Sequence, residues 1–290
     1  MAESSLFFED LIPGSRFELG TFKVDRSLLE SFASLTGDDN PIHLDDAVAR
    51  SNGFEGPVVH GALVSAMVMG LLERSGLVSS SVVAMMNADW SYRGPLGLDE
   101  QARVQMQVVS RRLSSSRPFG IVDRNFTVHG EEGALVAEGS SRMMVKARDL
   151  DEVRKREEDS PSFVSNAWLA RLGRRVAQDG VFAAATHYFD GTVGLGVDEL
   201  SWGWRIYQGK VIDQGARLAG DATFTLKAAA RTWLEFAESV HNYIPFAMNG
   251  RFGVSGSRYE YVRMSAAVVA LTELIREMVR EGMRSGGDNA

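Results

Sequence analysis

The sequence predicts an α+β protein of two domains, and three observations carry that expectation. The chain has 290 residues, longer than one average domain. Stretches that alternate apolar and polar residues in the manner of strands are interleaved with stretches whose apolar residues recur every three or four. Between the halves, Arg148–Asp159 (RDLDEVRKREED) holds only two uncharged residues and is followed by the breaker cluster Ser160-Pro161-Ser162, so no core runs through it. We expect a first domain over 1–147, a charged linker over 148–162 and a second domain over 163–290. The charged run also suits a solvated helix with pairs such as Asp151–Lys155.

In the first domain, Asp25 is suited to cap a helix whose apolar face is Leu28, Leu29, Phe32 and Leu35, with Gly37 ending it. A polar loop follows. Gly61–Leu72 reads as a helix apolar nearly all round, expected to be buried rather than to lie on a surface. Gln101–Ser110, Val122–His129 and Ala134–Val145 read as strands, which gives long strands wrapped around one apolar helix. In the second domain the expected elements are a helix over Asn166–Gln178, strands around Gly191–Val197, Ser201–Tyr207 and Ala222–Leu226, and a helical segment holding Trp233 and Phe236. A glycine-punctuated stretch, Asn249–Gly256, and a last helix follow. In that helix Met264, Val268, Leu271, Ile275, Met278 and Val279 form one face, leaving Glu273, Arg276, Glu277 and Arg280 on the other.

Composition narrows the functions. Hydrophobic residues make up 44% and charged residues 24%, the balance of packed cores. A net charge of −7, from 31 basic and 38 acidic residues, lacks the basic footprint of a nucleic-acid binder. The absence of cysteine removes disulfides, thiolate zinc sites and cysteine nucleophiles together. Glu3, Glu9 and Asp10 stand where a signal peptide would be basic, and the terminal GGDNA is no peroxisomal address. The most apolar run, Gly56–Leu72, is interrupted by His60, so a cytoplasmic protein without a membrane span is expected.

The chemistry concentrates in Leu35–Asp46, LTGDDNPIHLDD. Gly37 and Pro41 fix the backbone of a loop that gathers a carboxylate, an amide and an imidazole, Asp38, Asn40 and His43. A carboxylate and an imidazole converging on one point can hold a water, take its proton and return a proton elsewhere. The bland alternative is a turn, because Asp, Asn, Gly and Pro are the usual turn residues. Downstream, Phe54-Glu-Gly-Pro-Val-Val-His-Gly opens the apolar helix. Its first turn has unpaired N–H groups and a positive dipole end, suited to negative charge on an enolate oxygen, and Gly61 lets a substrate come close. His60 is better read as a structural histidine than a catalytic one. His187 and His241 have no ligand-spaced neighbours, and no metal or other cofactor is expected.

The run from Phe32 through Gly37-Asp38-Asp39-Asn40-Pro41-Ile42-His43 to Asp45, with the His60-Gly61 pair after it, resembles the hydratase motif of MaoC-like proteins, the (R)-specific enoyl-CoA hydratases. The resemblance covers roughly residues 5 to 147. It implies a hot-dog fold, an antiparallel sheet around a central helix. It implies a catalytic Asp38 and His43 that share one water, Asn40 orienting the pair, and the Gly61 amide facing the thioester carbonyl. The water oxygen would attack C3 of a trans-2-enoyl group and C2 would be protonated on the same face. A homodimer is implied too, and the thioester handle is CoA or a carrier protein. The stretch Tyr92–Gln101, YRGPLGLDEQ, departs from the family's proline and glycine-aspartate turn.

From about Ala184 to Glu281 the chain resembles the type 2 sterol carrier protein family. The residues that carry this are Phe189–Leu195, Trp202–Val211, Asp221–Leu226 with Trp233, and Met248–Gly256. The resemblance implies a five-stranded sheet with helices and an apolar tunnel for a lipid or acyl ligand. Trp202, Trp204, Trp233, Phe236, Phe246, Met248 and Phe252 are its candidate lining; the alternative for each is ordinary core. The functional readings are an (R)-specific hydratase of trans-2-enoyl-CoA, a dehydratase of carrier-bound 3-hydroxyacyl groups, or a non-catalytic lipid carrier.

Overall fold

The structure is a computed structural model that describes residues 5–114 and 117–285. Glu3 and the terminal GGDNA, read above for targeting signals, lie outside the described residues. The chain divides into two compact units, one of residues up to Leu11 with Ser15–Val108 and Leu113–Arg148, the other of Ile12–Gly14, Val109–Arg112 and Asp149 onward.

The first unit runs β1 (Arg16–Phe22), α1 (Arg26–Thr36), α2 (Pro41–Leu44), α3 (Asp46–Ser51), α4 (Gly61–Arg74), β2 (Val82–Tyr92), β3 (Ala102–Leu113), β4 (Phe119–His129) and β5 (Leu135–Lys146). The strands form one sheet in the order β1-β3-β4-β5-β2. Pairing is antiparallel from β1 to β3, from β4 to β5 and from β5 to β2. Strict alternation along β4 buries Val122, Arg124, Phe126 and Val128 on one face. Helix α4 adds Leu63, Val64, Val68, Leu71 and Leu72 to the core. A long antiparallel sheet around one helix is the hot-dog arrangement.

Two expectations about helix faces need correcting. In α1 the core residues are Leu29 and Ala33, while Leu35 is 84% exposed. At 3.6 residues per turn Leu35 points about 200° away from Ala33, so one stripe cannot hold both. Helix α4 is not buried all round either. Ala62 and Ala66, one turn apart, are exposed because the sheet covers only one side. The segments of β1 and β2 carry no clean alternation. The reason is physical, since a register shift between Glu18 and Gly20 interrupts β1, and shifts at Val82/Ala84 and Met85/Asn87 interrupt β2.

The continuous part of the second unit, from Asp149 onward, opens on the charged run, which folds as α5 (Leu150–Asp159) capped by Asp149. Among the described residues the ion pairs within this helix are Glu152 with Arg156 and Asp151 with Arg154, not Asp151 with Lys155. Next come α6 (Asn166–Gln178), α7 (Gly180–Ala185), β6 (Asp190–Val197), β7 (Leu200–Tyr207), β8 (Lys210–Gly215) and β9 (Phe224–Ala228). Then follow α8 (Ala230–Glu238), α9 (Tyr243–Met248), β10 (Gly253–Gly256), α10 (Arg258–Arg263) and α11 (Ser265–Ser285). The sheet order is β10-β9-β6-β7-β8, antiparallel except where β6 lies parallel to β9. All six apolar positions expected on the last helix are buried. Arg276 is buried as well, not solvated with its neighbours: its guanidinium lies 4.1 Å over the Phe236 ring and donates to the His241 carbonyl.

Candidate active site

Asp25 caps α1 by accepting from the Leu28 N–H at 2.8 Å, and Gly37 ends it in the left-handed conformation at φ 74°. The chain then turns sharply, and the segment expected as loop contains a single helical turn. Asn40 is its cap, accepting from Ile42 N–H at 3.2 Å, and Pro41 stands at the first helical position. This turn carries His43. The amide of Asn40 therefore acts on the backbone that holds His43.

The ring of His43 is fixed from the other side. Its Nδ1 lies 2.6 Å from the carbonyl oxygen of Val58. A carbonyl only accepts, so Nδ1 carries the proton and Nε2 is left as the group that can exchange one. Val58 is itself held in place: its N–H donates to Ile42 O at 3.3 Å, it bridges Gly97, and the Val59 N–H donates to Leu96 O at 2.8 Å. The stretch that departs from the family pattern thus braces the segment on which His43 leans. Glu100 closes that turn by accepting from the N–H groups of Gly97 and Glu131.

His60, 1% exposed, joins the pieces. Its Nε2 donates to the Asp38 carbonyl at 2.9 Å, and its ring stacks on His43 with centroids 3.9 Å apart and planes at 28°. The Phe32 ring packs against the ring of His60 with centroids 5.1 Å apart, which gives the half-buried phenyl of α1 a purpose. The Nδ1 of His60 is buried without a partner among the described residues. One ligand atom each of Asp38, His43 and His60 fall within 4.8 Å of one another. Two stacked imidazoles direct their in-plane lone pairs along nearly parallel planes, a poor arrangement for one shared ion and a good one for keeping His43 rigid.

Gly61 opens α4 directly after His60, and the His60 side chain does not cap the helix. A Cβ on Gly61 would stand 2.7 Å from Cζ of Tyr92, so the glycine is required by the tyrosine ring laid over it. Tyr92 Oη in turn shares a 2.8 Å hydrogen bond with Ser65 Oγ, one turn into the helix. Neither Tyr92 nor Ser65 had a sequence signal, because β2 lacks alternation and Ser65 sits inside an apolar run.

In the second unit Trp204, Trp233 and Phe236 are fully buried. Trp233 packs edge-on against Phe252 at 4.7 Å, and Phe236 lies 5.6 Å from Phe246 and 5.9 Å from Phe252. Trp202 is half-buried against this core. Met248 is the exception to the candidate lining: at 82% exposed it stands on the surface, because α9 turns its Tyr243 inward instead. The indole N–H groups of Trp202, Trp204 and Trp233 are buried without partners among the described residues. His187 packs on Tyr188.

The model of the family described as "MaoC like domain" matches residues 12–128. An (R)-specific enoyl-CoA hydratase of Aeromonas caviae is 29% identical over 111 residues, 38% of this chain and 78% of that protein. Among solved structures, a MaoC-like dehydratase from Rhodospirillum rubrum is 28% identical over 50% of this chain and 100% of its own, with a TM-score of 0.46. The (R)-hydratase from A. caviae involved in PHA biosynthesis is 26% identical over 45% and 94%, with a TM-score of 0.39. No described helix is long and apolar enough to cross a membrane. The first unit carries a MaoC-like hot-dog domain, and the protein is an enzyme of the hydratase/dehydratase type.

Proposed function

We propose that the first unit performs (R)-specific hydration of trans-2-enoyl-CoA, with Asp38 and His43 acting on one water molecule. The observation that carries this is the gathering of Asp38 and His43 within 4.8 Å, with His43 locked by Val58 so that Nε2 faces the reaction. The water gives a proton to this pair as its oxygen bonds to C3. The electron pair of the C2–C3 bond moves toward the thioester carbonyl, and C2 then takes a proton from the pair, so that one water is added in all. The developing enolate oxygen is placed at the uncapped first turn of α4, where the Gly61 N–H and the helix dipole meet it. Asn40 acts through the turn that it caps.

The test is loss of enoyl absorbance with crotonyl-CoA and with a long-chain trans-2-enoyl-CoA, with Asp38→Asn alongside. Turnover that survives in Asp38→Asn and His43→Ala removes the pair from the mechanism. Activity restricted to carrier-bound 3-hydroxyacyl groups turns the reading to the dehydratase.

The working form is a homodimer in this reading. Strand β2 is an 11-residue sheet edge that exposes Val83, Met85 and Met86, and α4 exposes Ala62 and Ala66. A long apolar edge asks for a cover, and a second copy supplies a strand of equal length. The second unit, in its five-stranded sheet with helices and its aromatic cluster, is proposed as an acyl or lipid holder, and binding of a fluorescent fatty acid to the full chain tests it.

A further inference from the structure

Arg124 is a cation in the interior of the first unit. It is 3% exposed and sits on the same face of β4 as the core residues Val122, Phe126 and Val128. Its Nε donates to Ser141 Oγ at 2.8 Å and its guanidinium lies 5.1 Å from the Phe126 ring. Nη1 is buried with no partner among the described residues. The outward neighbour Asp123 is already paired with Arg142 at 2.6 Å. Burial moves the guanidinium from its ordinary value down to about 10, and no carboxylate among the described residues acts on it. For packing, an apolar residue of the same volume would serve this position better, so an unpaired buried charge asks for a ligand.

The register connects this charge to the catalytic loop. Tyr92, whose ring lies on Gly61, is two residues from Trp90 and four from Ala88 on β2. Trp90 pairs with Gly139 of β5, Gly139 with Phe126 of β4, Ala88 with Ser141, and Ser141 with Arg124. The Trp90 and Phe126 rings stack at 6.0 Å, which puts them on one face. Three successive rows therefore lead from the first turn of α4: Tyr92, then Trp90 with Phe126, then Arg124 with Ser141. Four residues of strand place the third row about 13 Å from the first. An acyl chain that starts with its thioester at Gly61 and runs over Trp90 ends at the Arg124 row.

We propose that Arg124 is a specificity residue that recognises a carboxylate at the far end of the acyl group, so that the preferred thioesters are those of dicarboxylic acids. The free Nη1 edge and the Ser141 hydroxyl supply the hydrogen bonds, and an acyl group with a methyl end leaves the charge unpaired. This inference rests on the hydratase reading.

The experiment compares trans-2-octenoyl-CoA with trans-2-octenedioyl-CoA, and the shorter hexenoyl and hexenedioyl pair, in wild type and Arg124→Met. Wild type is expected to favour the diacid in kcat/KM by about tenfold or more, and Arg124→Met to lose that preference through KM while its monoacid rate holds. No preference in wild type, or an equal loss on both substrates in the variant, overturns the assignment. Calorimetric binding of octanoyl-CoA and suberyl-CoA separates the two readings. Binding that favours suberyl-CoA and depends on Arg124, without hydration of any substrate, keeps the carboxylate site and removes the hydratase; equal binding of both removes the site. Should Arg124→Met fail to fold, Arg124→Gln is measured in its place, with the same expectation, and the wild-type comparison decides by itself.

Discussion

The two units treat their conspicuous side chains in opposite ways. In the first, the polar residues that carry the chemistry stand at an edge: Asp38 and Asn40 are exposed, His43 is half-buried, and only His60 beneath them is enclosed. In the second, the conspicuous residues are aromatic, and Trp204, Trp233, Phe236 and Phe252 are closed around one another in the centre. The difference teaches how to read a motif. A short run of polar residues on a loop is costly to explain as packing, whereas a scatter of aromatics is what any core needs.

The sharpest way to break that contrast is at the catalytic loop. Asp38→Asn and His43→Ala are each expected to lower kcat/KM by about a thousandfold; the urea midpoint stays put in Asp38→Asn, whose side chain is exposed, and falls in His43→Ala by about 1–3 kcal/mol of stability, because the Val58 carbonyl loses its partner. Trp233→Ala reverses the pattern. It is expected to cost about 3–5 kcal/mol in urea denaturation with the hydration rate per folded molecule unchanged. A cost below about 1 kcal/mol would mean that the ring lines a cavity instead of filling a core. His60→Leu belongs between the two extremes. Losing the bond to the Asp38 carbonyl leaves that carbonyl unpaired, so about 1–3 kcal/mol of stability and part of kcat should fall together. Asn40→Ala removes a cap and should cost about 1 kcal/mol, measured by melting temperature. Met248→Ala, at the surface of the second unit, should change stability by less than about 0.5 kcal/mol.

Much of the fold was legible where a single period was long and unbroken. The helix Asn166–Gln178 and the buried face of α11 follow from 3.6-residue spacing, and β3, β4 and β5 from strand alternation. Legibility failed where a bulge shifts the period, as in β1 and β2, and where a strand is as short as Gly253–Gly256. It failed on helix faces too, since the positions of Leu35, Ala62 and Arg276 depend on what lies across from them. Asp38, Asn40 and His43 could be picked out because they are close in sequence. Tyr92, Ser65 and Arg124 could not, because strand register and helix crossing bring them into the same unit from separate segments.

The sequence by itself determined the local chemistry: which residues cap, which break, and that a carboxylate and an imidazole five positions apart are held by Gly37 and Pro41 on one short turn. Only the tertiary structure decided which nitrogen of His43 is available, through the Val58 carbonyl, and what His60 does, through its stack on His43 and its bond to Asp38. It also decided that Arg124 is buried with no carboxylate beside it among the described residues. The physical reason is range: caps and turns act over three or four residues, whereas hydrogen-bond partners and burial are set by segments distant in sequence that the sheet brings side by side.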